Sequence, residues 1–213
     1  MIVIPMAGRS SRFFNAGYAK PKYMLDLQGK SVFAHALSSF KSYFARDNIL
    51  IICRGDFGTP EFICTECKKL GLANSNFDMA VLTHETAGQA ETVAIGLRMV
   101  EVEPKEKLTI FNIDTFRPNF QHPTKLDLDS IDGYVEVFQG TGEHWSFVKP
   151  DANDPGSYRA LKVTEKVRIS NLCSTGLYYF REVDLFQKLY NQIAHRKPST
   201  LQGGERFISP LYD

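Results

Sequence analysis

Apolar residues fall into short unbroken runs that alternate with stretches at helical spacing. Met1 to Pro5 reads as a buried strand. "SVFAHALSSFKSYF" puts Phe33, Ala36, Leu37, Phe40 and Phe44 on one helical face, with Ser31 as its N-cap. "NILIIC" is continuously apolar, as a strand covered on both faces should be. Glu61 to Leu70 predicts a helix closed by Gly71. "DMAVL" predicts a third strand. "GQAETVAIGLRMV" predicts a helix with Ala90, Val93, Ala94, Leu97 and Val100 inward. "KLTIFNID" predicts a fourth strand ending on Asp114. Alternating strands and helices of this kind build an open α/β sheet.

Past residue 115 the pattern turns to period two. "GYVEVFQ", "HWSFVKP", "YRALKVTEK" and "TGLYYF" are strand-like, and the turn cluster "PDANDPGS" makes Trp145 to Lys166 a hairpin. "VDLFQKLYNQIAH" is a late amphipathic helix. No internal repeat or low-complexity tract interrupts the chain. One domain over residues 1–213 is expected, with a seam near residue 115 rather than a flexible linker.

Composition narrows the partners. The 213 residues are 43% hydrophobic, enough for a substantial core, and 25 basic against 24 acidic side chains leave a net charge of +1. No general nucleic-acid or anionic-membrane surface is implied, so any positive field must be local. No run approaches the ~18 apolar residues of a membrane helix. A cytoplasmic setting is expected, and Cys53, Cys64, Cys67 and Cys173 suit reduced thiols there. "CTEC" has metal-like spacing, but no second Cys or His pair accompanies it. The five histidines form no ligand-spaced pair or triad; His35 and His195 fall within predicted helices.

Local chemistry concentrates in four stretches, each with a plain alternative. In "MAGRSSRFFNAGYAKPKYML", Gly8 permits a sharp turn after a strand. Ser10 and Ser11 allow close approach, consecutive N–H groups can form an anion nest, and Arg12 and Lys22 add positive charge. These parts suit a triphosphate; the alternative is a surface loop with scattered charge. The loop is neither a P-loop nor a G-x-G-x-x-G fingerprint. Asp114, at the carboxyl edge of a central strand, could hold Mg²⁺ against phosphate oxygens or simply open a turn. "TAGQAET" opens a helix where Gly88 leaves room for a flat base and Gln89 offers an amide, or it is only a capping segment. "TEKVRIS" presents Glu165 and Lys166 to hydroxyls and a phosphate, or to solvent alone.

The order of "AGRSSRF", "KPKYMLDLQGKSVF", "AGQAET", "FNID", "EK" and "STGLYYF" resembles the sugar-nucleotide pyrophosphorylases, a nucleotidyltransferase family. The likeness runs from Ile2 to Phe207 and is most specific from Met6 to Phe33. It implies a Rossmann-like, GT-A-like α/β fold with a mixed central sheet flanked by helices and a small β-rich acceptor-binding part. Residues 1–115 would form the nucleotide-binding half and residues 116–213 the acceptor-binding half. The implied reaction joins a nucleoside triphosphate to a phosphorylated acceptor, most often a sugar 1-phosphate, and releases pyrophosphate. Relatives transfer cytidylyl groups to alcohol phosphates such as phosphocholine. By matched position, Ala7, Gly8, Arg9, Ser10 and Ser11 would hold nucleotide and Arg12 the departing pyrophosphate. Lys22 would act on the α-phosphate side, Gly88 and Gln89 would lie near the base, and Asp114 would bind Mg²⁺. Glu165, Lys166, Thr175 and Gly176 would meet the acceptor.

The chain departs from the family pattern in three places. Ser10 stands where a second glycine is usual, and Ile113 where a glycine often precedes the metal aspartate. Pro210 stands where sugar enzymes carry a second metal carboxylate, for which Asp213 is the nearby substitute. A glycosyltransferase using a nucleotide sugar and an inactive nucleotide-sensing subunit are the alternative functions. A homo-oligomer is left open.

Overall fold

The computed structural model describes residues 1–73 and 76–213. Its centre is an eight-stranded sheet. β1 (Ile2–Pro5), β4 (Ile49–Arg54), β5 (Phe77–Leu82) and β6 (Leu108–Phe111) run parallel in the order β5-β4-β1-β6. A two-residue pair, β2 (Asp26–Leu27) and β3 (Lys30–Ser31), forms a separate ribbon before α2 (Val32–Ser38).

Why β1 and most of β4 are apolar throughout is visible in their side-chain alternation. Ile2, Ile4, Ile49 and Ile51 face a core shared with α2 and with α3 (Thr59–Leu70). Val3, Leu50 and Ile52 face the opposite core, under α4 (Gln89–Met99) and α5 (Val183–Ala194). Both faces are covered, so no position on these strands can be polar without a partner.

Helix ends follow their local chemistry. The Ser31 hydroxyl caps α2 by accepting the Ala34 N–H at 3.0 Å, and Gly71 closes α3 in the left-handed region. Between β1 and Pro21 the chain makes one short helix, α1 (Ser11–Asn15), which has no apolar periodicity to announce it. The predicted long helix through Phe44 stops at Ser38, and Lys41–Tyr43 continues as a 3₁₀ turn that keeps Phe40 against Phe111 and Phe120.

The second half joins the same sheet antiparallel to the first. β10 (Leu172–Phe180) pairs with β6 on one side and with β7 (Gly133–Gln139) on the other. Its amino end also meets β8 (Ser146–Pro150), which forms the expected hairpin with β9 (Ala160–Glu165). No helix among the described residues is long and apolar enough to cross a membrane.

One expectation needs correction. The strand expected to end on Asp114 ends at Phe111. Asn112 N–H donates to the Gly176 carbonyl at 3.0 Å, where β10 shifts register between Ser174 and Tyr178. Beyond that last cross-strand bond the chain turns, with Thr115 N–H donating to the Asn112 carbonyl. Asp114 sits three residues beyond the strand, at its carboxyl end.

The carboxyl-terminal segment is tied to both halves. Arg206 N–H donates to the Ala87 carbonyl at 2.7 Å, and Ala90 N–H donates to the Arg206 carbonyl at 2.8 Å. Gly88 lies between them at φ +138, and a Cβ there would come 2.5 Å from the Arg206 nitrogen. Farther on, the Ser209 hydroxyl donates to Glu165 Oε2 at 2.8 Å, and Gln202 Oε1 accepts the Glu165 N–H at 2.9 Å. Gly88→Ala is expected to lower stability by about 1–3 kcal/mol, the range for a side chain forced into such a backbone state. Hydrogen exchange at residues 202–209 should rise with it; unchanged exchange there would show that the segment accommodates the methyl group.

A half-buried imidazole gives a pH signature. His122 Nδ1 is 2.7 Å from the Tyr134 hydroxyl and is ringed by Tyr43, Phe120 and Tyr179. Burial pushes its pKa down from 6.5 to about 4. Below pH 6.5 the unfolded chain takes up this proton before the folded chain does, so stability falls as pH drops from 6.5 toward 4. Urea midpoints should fall across that window in the wild type and fall less in His122→Asn.

Candidate active site

The loops that follow β1, β5 and β6 meet at the carboxyl edge of the parallel strands. That is the expected crevice of an open α/β sheet, because the strand order reverses across β1. They enclose a cavity of about 530 Å³. Ala7, Gly8, Arg9 and Ser11 form one wall, with Lys22 beside them; Gly88 and Gln89 form part of another.

Ser10 explains how the first loop turns. Its backbone is left-handed, φ 53 and ψ 25, the conformation for which glycine is the usual choice. Its Oγ accepts the Lys22 N–H at 3.2 Å, so the side chain that strains the turn also fastens the loop to the lysine segment. Tyr23 anchors that segment from below, its hydroxyl 2.8 Å from Thr59 Oγ1 in the buried core.

Lys22 and Asp114 come together. Lys22 Nζ lies 2.8 Å from Asp114 Oδ2; the lysine side chain is 26% exposed and the carboxylate 53%. Just behind them Asn112 organises the turn. Its Oδ1 accepts from Gln89 Nε2 at 2.5 Å, and its side chain occupies the space a Cβ on Gly176 would fill. Gly176, at φ +86, is thus required by Asn112, and Gly88 by the Arg206 backbone. Each glycine has a packing cause before any ligand is considered.

Other expected residues lie apart from the cavity wall. Arg12 is exposed on α1 and is not among the lining residues. The Thr175 hydroxyl donates to Glu136 Oε2 at 2.8 Å, and its carbonyl accepts from Thr115 at 2.8 Å, directly after Asp114. Glu136 is itself gripped by Arg117 at 2.6 Å. Glu165 is buried, and its Oε2 takes hydroxyl protons from both Ser146 and Ser209. Lys166 adopts φ 54 and places Nζ 4.4 Å from the centre of the Phe207 ring, which lines the cavity.

Asn112, Phe207 and Glu85 are site residues that the sequence pattern does not single out. Asn112 and Glu85 sit inside or beside quoted motifs, but nothing in their spacing shows whom they meet. The Arg9 guanidinium is bidentate on Glu85, with Nε at 2.7 Å from Oε1, and that hydrogen bonding holds the Glu85 carboxyl below the usual carboxylate range.

For Mg²⁺ the relevant donor is Asp114. A half-exposed carboxylate suits an ion that keeps several waters and takes its other oxygens from substrate phosphates. Among the described residues no group of three or more His, Cys, Asp or Glu could form an all-protein cage. Lys22 lines the first cavity, and Asp114 reaches it only through Lys22, being on the wall of neither; Pro210 and Asp213 line a second depression, of about 340 Å³, that excludes Lys22.

No family model and no curated protein matches the chain. Solved structures do. The nucleoside-diphosphate-sugar pyrophosphorylase from Vibrio cholerae RC9 superposes with a TM-score of 0.90 at 45% identity, over 100% of this chain and 86% of that one. An inositol-1-phosphate CTP transferase from T. maritima gives 0.69 at 14% identity, over 99% and 78%. A UDP-glucose pyrophosphorylase complexed with UDP-glucose gives 0.70 at 16%, over 99% and 84%. The last two share the fold. Likeness at 45% identity across the whole chain shows more, and the protein belongs to the nucleoside-diphosphate-sugar pyrophosphorylase family of nucleotidyltransferase enzymes.

Proposed function

We propose that the enzyme joins a nucleoside triphosphate to a phosphorylated small-molecule acceptor, with a sugar 1-phosphate as the leading candidate, and releases pyrophosphate. The observation that carries this reading is the Lys22–Asp114 pair, 2.8 Å apart, beside a glycine-containing loop at the carboxyl edge of the sheet. In this reading residues 1–115 hold the nucleotide and residues 116–213 the acceptor.

Two anions must approach each other, and their repulsion is the main barrier. The acceptor phosphate is already ionised near neutral pH, so no strong base is required. Position and positive charge are what the chain supplies. The Ala7–Ser11 backbone and side chains cradle the triphosphate, and the Lys22 ammonium compensates charge at the α-phosphorus as the acceptor oxygen attacks in line. Arg12, on the adjacent exposed helix, reaches the departing pyrophosphate from outside the cavity. Asp114 would hold Mg²⁺, which when bound screens the phosphate oxygens from one another.

On the acceptor side Lys166 is the cation, held over the Phe207 ring where the cavity ends. Glu165 spends Oε2 on Ser146 and Ser209, so it acts first by fixing the hairpin against the carboxyl-terminal segment. Thr175 and Gly176 shape the wall behind Asp114 through Glu136 and Asn112.

Pyrophosphate release, measured for four triphosphates against sugar 1-phosphates and alcohol phosphates with Mg²⁺, tests the proposal. Lys22→Ala should lower turnover roughly 10²–10³-fold, the cost of losing one transition-state donor. Wild-type turnover in that variant would remove Lys22 from the chemistry. Asp114→Ala should lose Mg²⁺-dependent activity with an unchanged melting profile. Full activity of this variant at low Mg²⁺ would exclude a metal role for Asp114.

A further inference from the structure

Four charged side chains meet on the rim of the cavity. Arg9 comes from the loop after β1, Arg54 ends β4, Asp56 follows it, and Glu85 comes from the loop after β5. Glu85 is shared. One side is held bidentately by Arg9, and Oε1 also accepts from Arg54 Nη1 at 3.0 Å. Arg54 is independently fixed by Asp56, with Nε at 3.0 Å from Oδ2. The two arginines differ in mobility of setting: the Arg9 side chain is 68% exposed on a loop, while Arg54 is 23% exposed at a strand end.

A carboxylate on the wall of a cavity for a polyanion opposes that ligand. Its placement makes sense as a removable one. The Arg9–Glu85 pair is charge-assisted and bidentate, but it sits at a solvated rim where salt screens it, and a triphosphate offers the same bidentate geometry with several negative charges in place of one. An incoming triphosphate therefore outcompetes Glu85 for Arg9. Glu85 does not become unpaired when it loses Arg9, because Arg54 is already within hydrogen-bond distance.

We propose that Glu85 is a positioning residue that acts as a latch on Arg9: it holds the guanidinium over the empty cavity, yields it to a polyphosphate while staying on Arg54, and recaptures it as pyrophosphate leaves. The inference rests on the cavity being the triphosphate site. It adds a chain-specific control on affinity and release that the reaction itself does not require.

The test is calorimetric binding of nucleoside triphosphates and of pyrophosphate, each with Mg²⁺ and without acceptor, to wild type, Glu85→Gln, Arg9→Ala and the double variant. Freeing Arg9 from its carboxylate partner should tighten triphosphate and pyrophosphate binding about two- to fivefold in Glu85→Gln, the worth of one exposed ion pair. The gain should shrink in high salt. Acceptor KM should stay unchanged while triphosphate KM falls. The gain should vanish in the double variant, which should bind like Arg9→Ala. Glu85→Ala repeats the measurement without the amide. Wild-type or weaker binding in both Glu85 variants, or a gain that survives loss of Arg9, overturns the latch while leaving the site intact. Absence of triphosphate binding in the wild type overturns both the site and the latch.

Discussion

An ammonium and a carboxylate are held 2.8 Å apart by the segments that follow two neighbouring parallel strands. Lys22 and Asp114 are 92 residues apart in the chain. They meet because β1 and β6 are adjacent and parallel, so the loops that leave them rise from the same edge. Parallel pairing in turn requires helices on both faces, which is why Ile2 to Pro5 and Ile49 to Cys53 admit almost no polar side chain. The charge pair is thus a consequence of two buried cores that contain no charge at all.

The structure around the site is made from contacts that would be costly to move. Gly88 admits the Arg206 backbone, Gly176 admits the Asn112 amide, and Glu165 gathers Ser146 and Ser209 inside the protein. The charged rim is built differently. Arg9 and Glu85 are largely in water, where ion pairs are weak and exchange partners readily. A rigid floor with a labile rim suits the proposed reaction, in which one polyanion enters and another leaves.

Much of the architecture was legible in the order of residues. Continuous apolar runs marked parallel strands, the turn cluster "PDANDPGS" marked the β8–β9 hairpin, and Ser31 and Gly71 marked helix ends by local chemistry that needs no distant partner. In the loop from Met6 to Leu25, residue type alone raised the expectation of an anionic ligand. Short elements escaped: α1 carries no apolar stripe, and the fourth strand gives way after Phe111 to a turn closed by the Thr115 N–H on the Asn112 carbonyl.

Partner choice is what the chain order could not convey. The residue types at positions 22, 114, 165 and 166 announced charge, and that is a local property of a side chain. Whether a carboxylate faces solvent beside a lysine, as Asp114 does, or lies buried between two serines, as Glu165 does, depends on register across the sheet. The same holds for Glu85, whose two arginines arrive from different strands. Periodicity and turn chemistry act over a few residues and so are written in sequence; electrostatic pairing acts through space and is decided only when the strands align.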